Sequence, residues 1–137
     1  MELRDYLTPG EYILAVSKSN LEYAGMKYNN LVLTNQRLIL VKITTSKLGF
    51  FKRNQKEDVI SLTTWNLADI SEVVYKQQLF KGNRYFEIRN KKAGTSWIYI
   101  KDSKNWCGEV RNALRDLARR YKKKFNERGW DLEIYKF

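Results

Sequence analysis

Two apolar runs rich in β-branched residues, Leu31-Val32-Leu33 and Leu38-Ile39-Leu40-Val41, flank a polar Thr34-Asn35-Gln36-Arg37 break. Short apolar runs on either side of a few turn residues predict a tight antiparallel hairpin, with strands near 30–34 and 37–45. Upstream, Tyr12 to Lys18 reads as a strand buried on much of both faces. Ser19 to Asn29, rich in Asn, Gly and Lys, reads as a loop. Downstream, strand propensity predicts Val59 to Trp65 and a strand from Ile70 or Ser71 to Leu79 or Phe80. Turns at Lys81-Gly82-Asn83 and Lys91-Lys92-Ala93-Gly94 lead into two more strands, Tyr85 to Arg89 and Ser96 to Lys101.

The period then changes. Trp106, Val110, Ala113, Leu114, Leu117, Tyr121 and Phe125 recur at spacings of three and four, which puts them on one face of an α-helix. Asp102 or Ser103 suits its N-cap, and Gly129 its stop. In the tail, Trp130, Leu132 and Ile134 fall on one side, predicting a strand that joins a sheet edge of this chain or of another. At the other end, Leu3, Tyr6 and Leu7 share helical spacing, and Thr8-Pro9-Gly10-Glu11 is a turn. The expected class is mainly β with α: about seven antiparallel strands in two packed sheets, a barrel-like sandwich capped by one C-terminal amphipathic helix.

Composition narrows this further. A chain of 137 residues, 43% hydrophobic, can bury a core without disulfides or metal. It reads as one domain over 1–137, with its core at 10–126, a short N-terminal cap at 1–9 and a tail at 127–137. The single cysteine, Cys107, cannot form an internal bridge. No apolar run approaches the roughly 20 residues a membrane span needs, and the acidic N-terminus lacks a signal-peptide segment. The expected location is cytoplasmic, with the inner membrane face as a peripheral site.

Catalytic chemistry is poorly supplied. There is no histidine, so the commonest proton shuttle and metal ligand is missing. Cys107 has no histidine to activate it, and the seven glycines form neither a phosphate loop nor a dinucleotide fingerprint. The reading is a binding module rather than an enzyme, with no cofactor and no metal.

Charge points to the partner. The net charge is +11, from 26 Lys and Arg against 15 Asp and Glu, and a surplus of that size attracts polyanions. Two segments concentrate it. In one, Lys47, Lys52, Arg53 and Lys56 surround Leu48, Phe50 and Phe51. Such a loop can set aromatics at a lipid headgroup boundary, fold them back into the core, or meet a neighbouring subunit. The other is the helix end, Arg119, Arg120, Lys122, Lys123 and Lys124, part of nine cations against three acids between residues 101 and 125. Helix-dipole complementarity accounts for some of these cations, and a polyanion-binding or solvated face for the rest. Asn35 reads as a turn residue that tolerates left-handed geometry, and Arg37 as a fixer of the hairpin through carbonyls or a carboxylate. Tyr12, Trp97, Tyr99 and Trp106 are assigned to packing.

Three stretches resemble the pleckstrin-homology-like superfold, and its bacterial-type branch most closely. They are Gly10-Glu11 before Ile13-Leu14-Ala15-Val16, the hairpin Leu33-Thr34-Asn35-Gln36-Arg37-Leu38, and Leu67-Ala68-Asp69-Ile70-Ser71-Glu72-Val73. Trp106, Val110, Ala113 and Leu114 are similar to the tryptophan-led closing helix of PH domains, and the resemblance spans approximately residues 10–125. It implies a non-enzymatic interaction domain whose relatives bind anionic lipids or protein segments and often form oligomers. One departure stands out: a clear phosphoinositide signature is missing between the first two strands, where Glu22 lies between Lys18 and Lys27. The first expectation is docking on an anionic lipid or acidic protein surface. The second is nucleic acid held by the helix-end cations. The third is self-assembly into a homo-oligomer through the tail strand.

Overall fold

The computed structural model describes residues 3–46, 56–75, 85–91, 94–120, 124–128 and 131–135. It is a mainly β fold of two packed antiparallel sheets closed by a C-terminal helix. The first sheet holds β1 (Ile13–Val16), β4 (Asn30–Thr34), β5 (Arg37–Ser46) and β6 (Lys56–Asn66), in that order. The second has a five-stranded body of β7 (Ile70–Val74), β8 (Tyr85–Asn90), β9 (Gly94–Ile100), β2 (Leu21–Tyr23) and β3 (Met26–Tyr28). A C-terminal hairpin, β10 (Lys124–Arg128) and β11 (Asp131–Tyr135), extends it beyond β7. The helix α1 spans Ser103–Arg120, and single 3-10 turns lie at Leu3–Tyr6 and Leu67–Asp69.

Alternation explains the core. In β4 and β5, Leu31, Leu33, Leu38 and Leu40 face the space between the sheets, where they meet Phe86, Ile88, Ile98 and Ile100 of β8 and β9. Val110, Ala113 and Leu114 of α1 are buried in the same cluster, and Trp106 and Leu117 pack on its margin. Cys107 is wholly buried among them. Helix entry is as the spacing predicts: the Asp102 carbonyl accepts the first helical hydrogen bond, from Trp106 N at 3.0 Å.

Four expectations need correction. First, Ser19 to Asn29 contains a hairpin, β2 and β3, closed by Ala24 and Gly25 at φ of 53° and 77°. Two successive positive φ values define the tight turn whose twist suits a hairpin, and alanine disguises it because Asn or Asp usually fills that place. Second, β1 is an edge strand rather than one buried on both faces. Among the described residues only β4 lies beside it, and only Ala15 of the strand packs on the central cluster. Tyr12, at 57% exposure, is likewise outside the core. Third, the helix stops at Arg120, and Phe125 belongs to β10. Continuing the helix would set Arg120 against Lys124, a repulsive like-charge pair at i, i+4. Fourth, Asn35 is not among the described residues with positive φ.

The tail strand takes the first of its two alternatives. β11 pairs with β7 of its own chain, Leu132 opposite Val73 and Glu133 opposite Glu72.

Candidate functional site

The hairpin that dominates the sequence is the anchor of an ion-paired clamp. Arg37 Nε and Nη2 donate to Glu11 Oε2 and Oε1 at 2.9 and 2.8 Å, and Nη2 also donates to the Tyr6 carbonyl at 3.0 Å. Thr34 Oγ1 donates to Glu11 Oε2 at 2.6 Å and accepts from the amides of Gln36 and Arg37 at 3.1 and 2.8 Å. Asn35 spans the gap to the Pro9-Gly10 turn, accepting from Tyr12 N at 2.8 Å and donating to the Gly10 carbonyl at 3.1 Å. The Glu11 side chain is shut off from solvent, at 0% exposure. Its hydrogen bonds with Arg37, helped by those from Thr34 and Thr8, outweigh the burial penalty and lower its pKa to about 2. Arg37 therefore has the carboxylate predicted for it. Glu11, Thr34 and Arg37 bond one another while Arg37 and Asn35 also bond the backbone of Tyr6, Gly10 and Tyr12, so the clamp is structural.

The clamp fixes the N-terminal turn over the outer face of the first sheet. There Val32, Ile39 and Val41 are buried beneath Leu3 and Leu7, with Ile43, Val59 and Leu62 beside them. A cavity of about 400 Å³ remains between Leu3, Arg4, Val16, Val32, Val41 and Val59.

The candidate binding residues separate into three groups. Lys18 follows β1 and Lys27 lies on β3, both exposed. Lys27 stands opposite Glu22 in the β2–β3 register, so the acid that interrupts the lysines in sequence is also the neighbour of Lys27 in space. Arg119 and Arg120 are exposed in the last turn of α1. Arg120 lines a polar cavity of about 430 Å³ with Asn35, Gln36, Asn66 and Asp69. Lys124 stands on β10, not on the helix, and Lys56 opens β6 opposite Ser46. Lys47, Phe50, Phe51, Lys52, Arg53, Lys122 and Lys123 lie outside the described residues.

Trp97 and Tyr99 overturn their assignment to the core. They are 46% and 43% exposed, because Ser96, Ile98 and Ile100 occupy the inward phase of β9. Tyr85 lies across from Tyr99 on β8, their ring centroids 5.4 Å apart and tilted by 48°. Beside them, Glu22, Lys27, Tyr99 and Lys101 border a shallow cavity of about 460 Å³. Acids share this outer face, Glu87 standing opposite Trp97 and Glu22 opposite Tyr99. Arg89 Nη1 meets Glu72 at 2.6 Å and its Nη2 meets Glu87 at 3.5 Å, with only 14% and 8% of those acidic side chains exposed. The signal that could have revealed this face is the aliphatic phase of Ile98 and Ile100, since both phases of β9 are apolar and the aliphatic one packs better between sheets.

Among the described residues, no helix is long and apolar enough to cross a membrane, and no group of three or more acidic, Cys or His side chains could hold a metal. No protein-family model matches the chain, and no curated protein does. Among solved structures, it is similar to the crystal structure of the C-terminal domain of an unknown protein from Leishmania infantum. The TM-score is 0.55 at 11% identity, over 78% of this chain and 87% of that one. At that identity the likeness is one of fold alone.

Proposed function

We propose that the chain is a PH-like, non-enzymatic interaction domain that docks on an anionic surface, the anionic face of a membrane first. The two sheets and closing helix are compatible with that superfold, and the Thr34-Asn35-Gln36-Arg37 segment behind the resemblance forms the clamp that ties the N-terminal turn to the first sheet.

The observation that carries the reading is how charge is sorted. Arg4, Lys18, Lys27, Lys91, Lys101, Lys104, Arg119 and Arg120 are exposed against exposed Asp5, Glu22, Asp102, Glu109 and Asp116, whereas Glu11, Glu72 and Glu87 are tied to arginine. Among the described residues the exposed cations outnumber the exposed acids, in a chain of net charge +11. An anionic leaflet attracts such cations by about 1 kcal/mol each, with a reach of roughly one Debye length.

Co-sedimentation with vesicles tests this. Binding is expected to anionic but not to neutral vesicles at low salt, falling as salt rises. Arg119→Glu/Arg120→Glu should weaken it by about fivefold or more for each cation lost. Equal binding to both vesicle types, or none at low salt, would reject the proposal.

A further inference from the structure

The cavity on the outer face of the first sheet is a slot that crosses the whole sheet. Every strand lends it an outward aliphatic residue: Val16 of β1, Val32 of β4, Val41 and Ile43 of β5, and Val59 of β6. The register keeps them on one face, with Val16 opposite Val32 and Ile43 opposite Val59. Three steps between neighbouring strands give the slot a length of roughly 14 Å. Leu3 of the N-terminal arm forms its other wall.

The lining selects the occupant. These aliphatic side chains offer no hydrogen-bond partner, so a peptide backbone or a polar ligand would be stranded among them. Valine and isoleucine are stiff at χ1, so the walls hold their shape. A volume of about 400 Å³ is at the small end for a ligand pocket, and in so long a slot it suits one slender chain rather than a two-chain lipid. Val32 and Val41 form a buried floor, and the slot opens at the edge strand, where Val16 is 48% exposed. Polar groups enter the wall at two points, Arg4 and Asn30. Asn30 Nδ2 donates to the Ser17 carbonyl at 3.0 Å, and Arg4 is exposed and brings the charge. The adjacent Asp5 is not part of the wall, nor is any other carboxylate among the described residues.

We infer that this slot binds one extended acyl chain with an anionic head, a free fatty acid rather than a membrane lipid. The hydrocarbon lies across the four strands beside the N-terminal arm. Its carboxylate meets Arg4, whose guanidinium matches carboxylate geometry. The site is separate from the helix-end cations and goes beyond the membrane reading.

Calorimetric titration of the full chain with octanoate, decanoate, dodecanoate and dodecanol, with phosphatidylglycerol vesicles in parallel, tests it. Affinity should rise about tenfold for every two methylenes added, up to dodecanoate. Val16→Trp, at an exposed position, should leave the urea midpoint unchanged. It should weaken dodecanoate by roughly tenfold or more, as if two methylenes were excluded, and leave vesicle binding as it was. Arg4→Gln should weaken dodecanoate about threefold and dodecanol not at all, a split that a merely unfolded variant could not produce. No binding of dodecanoate, an affinity indifferent to chain length, or a Val16→Trp variant that binds like the wild type would each overturn the inference. So would equal losses of dodecanoate and dodecanol in Arg4→Gln. Vesicle binding without dodecanoate binding overturns the slot alone, and the reverse result overturns only the membrane reading.

Discussion

The outer faces of the two sheets begin from the same alternation and end differently. On the first sheet the outward row is aliphatic, Val32, Ile39 and Val41, and is sealed under Leu3 and Leu7. On the second it is aromatic, Trp97 and Tyr99, and is open to solvent. The difference lies in what the rest of the chain lays across each face. A buried carboxylate, Glu11, ties the N-terminal arm to the hairpin tip, and that arm covers the first face. The outward apolar row of β4 and β5 is therefore part of a second small core, while that of β9 is half open to solvent.

Cutting the tie should have the largest effect. Glu11→Ala leaves Arg37, at 18% exposure, without its carboxylate and frees Thr8 and Thr34. A loss of about 4 kcal/mol in urea unfolding is expected, with new dye binding at the uncovered face. A loss under about 1 kcal/mol would show that the arm is held by packing alone.

Acid should cut it reversibly. The folded pKa of Glu11 is depressed, so its contribution is complete above the unfolded value of 4.5 and is lost as pH falls through about 2. That contribution is roughly 3 kcal/mol. Stability measured across this window should decline in the wild type and less steeply in Glu11→Gln. Parallel curves would assign the acid sensitivity to other carboxylates.

The smallest effects sharpen the contrast directly. Val41→Thr places a hydroxyl under the N-terminal arm and should cost about 2 kcal/mol. Trp97→Thr removes only cross-strand contacts on an open face and should cost under about 1 kcal/mol. Equal shifts in denaturation midpoint would mean that the two faces are not differently covered.

Much of the sandwich was legible because local rules agree with the fold there. The hairpin around Thr34 to Arg37, the helix start near Asp102 and the face made by Val110, Ala113 and Leu114 each follow from a period or a turn residue. The β2–β3 hairpin was hidden, since Ala24 is an unusual occupant of a positive-φ position. The helix end was overrun because Tyr121 and Phe125 continue its period, although β10 takes Phe125 into a strand opposite Ile134. The candidate site was only partly visible. Its cations could be named from charge, but its aromatic face was mistaken for core.

By itself, the chain's order of residues determined the strand-rich class, the closing helix and the positive surplus, because these depend on neighbours in sequence or on composition. By contrast, the carboxylate that meets Arg37 comes from 26 residues away. Tertiary structure alone decided which apolar rows are covered. Burial is a property of what is laid against a strand from elsewhere, and a period of two fixes that there are two faces without saying which of them meets water.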